Sequence, residues 1–259
     1  MITAIRTELL KLRTTRLAAG LLALAAGLTT LVVVIASARA GTGDLNIPAL
    51  SSAEGLRAIV TNTGFAMLVA AVFGITVATG EFRHRTATDT YLDQPNRTRI
   101  LAAKLLAATG VGLLFGLVAS VIATTVGLAA ATAKGYDIAI STATIAGYMA
   151  GAVLACGLLA AVGVGIGSLV RAQLPALIAV FIWAMAIEQI VGGLAPDAGR
   201  FLPLLAATTL GGADSAASMP PIPPDLQPLA PAASVVLLTG LALLLGAVAT
   251  RTTVRRDVT

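Results

Sequence analysis

Charged residues are scarce in this 259-residue chain: Asp, Glu, Lys and Arg make up 11% of it, while 57% of the residues are hydrophobic. The mean hydropathy is +0.93. A soluble globular domain has about 25% charged residues, so this shortage excludes that class. No stretch of soluble composition is long enough to form a separate domain. We therefore expect a single all-α, polytopic membrane domain over residues 1–259.

Cysteine and histidine are nearly absent, with one residue of each. The lone Cys156 cannot form an internal disulfide, and the lone His84 cannot supply a zinc pair. The chain also lacks a Gly-rich phosphate loop followed by Lys and Ser or Thr, a His-Glu-x-x-His pair and a Gly-x-Ser-x-Gly turn. We therefore expect that the chain is not an enzyme, with no catalytic residue, metal site or cofactor of its own.

Six apolar runs are long enough to cross a bilayer as helices, which takes about 20 residues at about 1.5 Å each. These runs cover residues 17–38, 59–79, 105–131, 143–169, 174–194 and 232–250. The first run has 22 residues. The apolar core of a secretory signal has only about 7–15, so we expect this run to remain as a membrane helix.

Basic residues are divided unevenly between the two sides of the membrane that six spans define. Thirteen of the 17 Lys and Arg residues fall on the side that holds both termini. The other side has only Arg39, Arg57, Lys134 and Arg200. Because basic loops stay in the cytoplasm, both termini are predicted to be cytoplasmic. This topology explains the formal charge of +5 without a nucleic-acid partner.

The N-terminal head, residues 1–16, has an amphipathic pattern. Apolar residues recur at helical spacing, and basic residues flank them: Ile5, Leu9 and Leu12, with Arg6 and Arg13. This pattern predicts a helix that lies in the membrane interface, with its arginines near anionic lipid headgroups. The alternative is a basic flank that only orients the first span.

The connection before the last span, residues 195–231, is predicted to be extracytoplasmic and holds eight of the 11 prolines. Its segment 200–210 is too apolar for a free loop and too short to cross the bilayer. We expect a re-entrant or interface-lying helical piece there.

Glu188 is the one clearly ionisable residue inside a predicted span. A carboxylate in the membrane costs up to about 3 kcal/mol, so it usually faces a bundle interior or a wet path. Because Glu188 lies toward the outer end of its span, two interpretations stay open. It contributes to a transport path, or it has a structural role at the outer interface or in a bond with Gln189.

The polar island, residues 80–104, interrupts the chain between the second and third apolar runs and is predicted to be cytoplasmic. Gly80 gives the backbone freedom to turn where the second run ends. Thr86 and Asp89 match a helix-capping pair, and Pro95 would end the helix that they begin. We expect a short exposed helix, rigidly held by two spans and suited to docking in a groove of a soluble partner.

In the order of residues in its polar island, the chain resembles the permease subunits of type 2 ATP-binding-cassette (ABC) transporters. The matching residues are Gly80, Glu81, Arg83, Thr86, Leu92, Pro95, Arg97 or Arg99, and Lys104. Arg85 stands where the family usually has a glycine. The arginines lie two and four residues after Pro95, where the family more often has one arginine three residues after the proline.

The resemblance implies a subunit of an ATP-driven exporter. The excess of arginine over lysine, 14 to three, is typical of a GC-rich bacterial genome, so we expect the chain in the bacterial plasma (inner) membrane. Its polar island would couple to a separate ATPase subunit, present in two copies, that holds ATP and Mg²⁺. A second permease chain would complete the complex. A narrow bundle of apolar spans suits an amphiphilic substrate, so we expect a lipid, peptide, drug or other amphiphile. Two alternatives from other classes are an ion-coupled secondary transporter and a non-transporting membrane anchor or assembly protein.

Overall fold

The structure is a computed structural model that describes residues 10, 16–43, 47–83, 97–214, 218, 221–223 and 225–252. All regular elements within these residues are helical, and six helices are long and apolar enough to cross a membrane. The prediction of an all-α chain with six such helices is confirmed, and it indicates a membrane-embedded protein. The residues predicted for the interfacial helix, Ile5, Arg6, Leu9, Leu12 and Arg13, lie outside the described residues.

The helices are numbered here in chain order. They are α1 (Arg16–Arg39), α2 (Ala53–Val60), α3 (Gly64–Arg83), α4 (Arg97–Ala133), α5 (Thr142–Val170), α6 (Gln173–Ile182), α7 (Glu188–Leu194), α8 (Pro196–Gly199), α9 (Pro203–Leu210) and α10 (Pro231–Thr252). A π-helical turn, Trp183–Ile187, joins α6 to α7. The three pieces form one apolar span, Gln173–Leu194, which we call span five.

Helices α3 and α5 form the centre of the bundle. Helix α5 packs against α3, α4 and α10, while α1 packs on the outside of α4 and α3. The buried rings of Phe73 in α3 and Phe115 in α4 meet edge to face, with centroids 5.4 Å apart. Span five is peripheral. In its most apolar stretch of 18 residues, 17% is buried, whereas the corresponding figure for the span that contains α3 is 89%. One face of span five is therefore left for lipid or a partner chain.

Glycine allows α3 and α5 to pack backbone against backbone. A Cβ atom added at Gly74 would lie 2.0 Å from the carbonyl oxygen of Ala160, and one added at Gly163 would lie 2.2 Å from that of Ala71. Small residues permit this approach because no side chain separates the two helices. The backbone of α5 is therefore held tightly against that of α3.

The second span begins differently from the predicted run of residues 59–79. Ser52 caps α2, its side-chain oxygen accepting a hydrogen bond of 3.1 Å from the backbone N–H of Gly55. Buried Thr61, Asn62 and Thr63 then separate α2 from α3. The Thr61 hydroxyl donates to the carbonyl of Arg57 at 2.8 Å. Such local bonds of short polar side chains compete with helix continuation, an effect that mean hydropathy does not register.

The predicted turn at Gly80 is wrong, since α3 continues through it to Arg83. Helix α4 likewise begins at Arg97, before the predicted residue 105. Backbone hydrogen bonds extend a helix whether or not its side chains are apolar, so the helices run past the ends of the apolar runs. The short helix expected between Thr86 and Pro95 lies outside the described residues.

Candidate functional site

Span five changes its helical geometry immediately before Glu188. The backbone N–H of Glu188 donates to the carbonyl of Trp183, five residues earlier, which defines the π turn. On a regular α-helix, residues five apart are separated by about 1.4 turns and lie on different faces. The wider π turn brings the two side chains together, and the Trp183 indole Nε1 donates to Glu188 Oε1 at 2.9 Å. Single π turns of this kind are frequent at functional sites.

The carboxylate of Glu188 is 1% exposed and caps the start of α9. The backbone N–H of Leu204 lies 3.1 Å from Oε1 and 2.9 Å from Oε2, and the N–H of Leu205 donates to Oε2 at 2.9 Å. The first N–H groups of a helix have no partner within it, and they carry partial positive charge. The residue before the helix, Leu202, supplies no side-chain cap. Glu188, which lies in span five, therefore provides the cap for α9.

These contacts use the hydrogen-bonding capacity of the carboxylate. A carboxylate has about four acceptor positions. Three N–H groups make four contacts with them, because the N–H of Leu204 is shared between Oε1 and Oε2. Gln189, the partner considered from sequence, is not involved: among the described residues, its buried Nε2 has no hydrogen-bond partner. Through these hydrogen bonds, Glu188 links span five to α9.

A cavity of about 310 Å³ lies beside Glu188. It is bounded by α3, α5, span five, α9 and α10, with Leu68, Leu159, Val180 and Leu241 among its lining residues. Glu188 is the only ionisable residue in the lining that the structure describes. The cavity is of the size of a small ligand site and is almost wholly apolar.

A second polar cluster joins α2 to the segment after α9. Arg57 forms an ion pair with Asp214, and its Nε donates to the carbonyl of Gly212 at 2.9 Å. Its guanidinium also lies 5.3 Å from the ring centroid of Tyr148. The ion pair is about one-third exposed on both sides. Partial exposure weakens each contact, so we interpret the cluster as a structural link between α2 and the segment after α9 rather than as a ligand site.

The residues predicted to couple to an ATPase lie around the gap between α3 and α4. Gly80, Glu81 and Arg83 are in the last turns of α3, and Arg97 and Arg99 are in the first turn of α4. Arg99 is exposed, whereas Lys104 is 6% exposed. Thr86, Leu92 and Pro95 lie outside the described residues.

No protein-family model, curated protein or solved structure matches this chain. The sequence pointed to Glu188 but not to its partners or to the cavity. The one feature of the sequence that could have indicated a partner was the indole N–H of Trp183 in the same span. A regular helix, however, would have placed Trp183 and Glu188 on different faces. The link to α9 depends on how two separate helices pack.

Proposed function

We propose that this chain is the membrane-spanning permease subunit of an ATP-driven exporter. The observation that carries the proposal is the order of residues in the polar island, from Gly80-Glu81 through Pro95 to Lys104, which resembles the coupling loop of type 2 ABC permeases. Six apolar helices among the described residues support it at a coarser level. The functional unit we propose contains two permease chains and two copies of an ATPase subunit that binds ATP and Mg²⁺.

The packing suggests how movement at the polar island would reach the spans. The island connects α3 to α4, and both helices pack directly against α5. Because packed helices move as rigid bodies, displacement of the cytoplasmic ends of α3 and α4 by an ATPase would shift α5 as well. Movement of α5 would change the width of the cavity, since α5 forms one of its walls.

The test is to purify the chain from its native membrane with its neighbours and measure its stoichiometry and ATPase activity. We expect an ATPase subunit to co-purify in a one-to-one ratio with the chain. Charge reversal by Arg83→Glu or Arg97→Glu should leave membrane insertion intact and abolish stimulation of the ATPase by substrate. Arg251→Glu is the matched control, because Arg251 is an exposed basic residue at the end of α10, outside the island.

Two results would overturn the proposal. One is a chain that purifies without any ATPase and has no phosphate-loop protein encoded beside it. The other is full stimulation of the ATPase in both island variants. If the Arg251→Glu control lost stimulation equally, general charge rather than the island would be responsible.

Glu188 is the one observation that favours an ion-coupled secondary transporter, because such proteins place carboxylates inside their spans. Three N–H groups of the same chain already donate to its carboxyl group, which favours a positioning role. Transport by reconstituted chain alone, driven by an imposed ion gradient, would support this alternative. A protein that transports under neither condition would instead be an anchor or assembly factor.

A further inference from the structure

We propose that the cavity beside Glu188 binds one hydrocarbon chain of an amphiphile. The assignment of this ligand as an exported substrate rests on the proposed permease function, whereas binding itself does not. The site lies within a single protomer and is lined by α3, α5, α9, α10 and span five.

The lining excludes polar ligands. Apart from Glu188, its residues are Leu, Ile, Val, Ala, Pro and Trp. The indole N–H of Trp183 is committed to Glu188, whose carboxylate accepts two further backbone N–H groups. A sugar, phosphate or peptide group entering the cavity would lose its hydrogen bonds to water without gaining new ones. An apolar chain has no such cost.

The volume limits the ligand to a single chain. An engineered apolar cavity of about 150 Å³ is known to bind benzene, and ligand pockets begin at about 300 Å³. At about 310 Å³, this cavity holds part of one alkyl chain. It is too small for the two chains of a phospholipid, so the headgroup and any second chain would remain outside.

The position of the cavity indicates where the chain comes from. Span five forms one wall and is one of the peripheral spans, with Ile178 and Phe181 about half exposed. In a membrane the face that holds these two residues is next to lipid hydrocarbon. A ligand that reaches the cavity past span five therefore comes from the bilayer, where the chains of amphiphiles are dissolved.

The experiment is photo-labelling of the purified chain in lipid nanodiscs with a single-chain amphiphile that carries a diazirine on its alkyl chain. Peptide mass spectrometry should place the label on α5, span five and α10. Leu241→Trp fills the cavity, and we expect it to reduce this labelling at least fivefold. Leu244→Trp is the matched control on the same helix, because Leu244 is 60% exposed and does not line the cavity; its labelling should be unchanged.

A second pair of variants guards against misfolding of the first. Val180→Phe enlarges a lining residue of span five, while Ile178→Phe enlarges a residue on the exposed face. Labelling should fall in the first variant only, with both retaining the thermal stability of the parent. Equal labelling in lining and exposed variants would overturn the site and leave only general contact with lipid.

Two further arms identify the source of the chain and separate this inference from the proposed function. A diazirine phospholipid that labels the cavity as strongly as the single-chain amphiphile would make the occupant a bilayer lipid, and would overturn the single-chain amphiphile as its specific ligand. Cavity labelling in a chain that binds no ATPase would keep the site and reject the permease function. An ATPase partner without cavity labelling would keep the function and reject the site.

Discussion

At the scale of residues, Glu188 and the first N–H groups of α9 supply each other with the hydrogen bonds that burial would otherwise deny them. A carboxylate inside a span is costly by up to about 3 kcal/mol, and the first N–H groups of a helix lack partners. Placing Glu188 against Leu204 and Leu205 satisfies both sets of groups at once. The carboxyl group also lies at the positive end of the α9 dipole. The residue thereby fixes α9 to span five.

Replacing Glu188 with Leu would leave the two backbone N–H groups of α9 buried without acceptors. Each unsatisfied group costs about 1–3 kcal/mol, so we expect the free energy of unfolding to fall by about 2–6 kcal/mol. Glu188→Gln keeps one acceptor oxygen and should fall between the parent and the Glu188→Leu variant. Thermal unfolding of the purified chain in detergent measures both differences.

Gln189→Leu is the control for this effect, because Gln189 is the next residue of the same helix. Its buried Nε2 has no hydrogen-bond partner among the described residues, so its loss should not destabilise the chain. An equal loss of stability in the Glu188→Leu and Gln189→Leu variants would show that the cap on α9 is not what Glu188 contributes.

At the scale of elements, the contact between α3 and α5 is set by glycine. Gly163 and Gly74 let each helix approach the backbone of the other. On the same helix as Gly163, Gly147 has no heavy atom within 4 Å of the position that a Cβ would take, apart from the adjoining backbone of α5 and its neighbours in the chain. Helix α5 therefore contains glycines of two kinds, which the sequence alone does not distinguish.

Alanine substitutions at these two glycines of α5 should change stability in opposite directions. At Gly163 the added Cβ would overlap the carbonyl of Ala71, and overpacking typically costs about 1–3 kcal/mol. At Gly147 the space is open, and Ala is favoured over Gly within a helix by about 0.5–1 kcal/mol. The melting temperatures should therefore fall for Gly163→Ala and rise for Gly147→Ala. A rise in both would mean that α3 and α5 are not in close contact.

Span five also shows that hydropathy predicts where a span lies better than it predicts the geometry of the helix within it. The apolar run of residues 174–194 nearly coincides with span five, Gln173–Leu194, because length and composition decide whether a helix can cross a membrane. The π turn at Trp183–Ile187 is invisible to the same measure. It changes the hydrogen-bond register and not the composition.

At the scale of the whole molecule, the predicted orientation can be tested through the scarcity of cysteine. Cys156 is fully buried, so an introduced cysteine is the only thiol expected to react with a membrane-impermeant maleimide. Asp137→Cys, in the exposed connection between α4 and α5, should be labelled on intact cells. Arg251→Cys, at the end of α10, should be labelled only after permeabilisation. The opposite result would place both termini outside.

The sequence by itself determined the class of this protein: an all-α chain with six helices able to cross a membrane. These properties depend on composition and run length, which are local. The tertiary structure alone decided that Glu188 caps α9, that Gly163 meets α3 while Gly147 does not, and that a cavity adjoins Glu188. Each of these features depends on contacts between segments that are distant in sequence. Packing brings such segments together, and a local sequence pattern carries no information about which ones will meet.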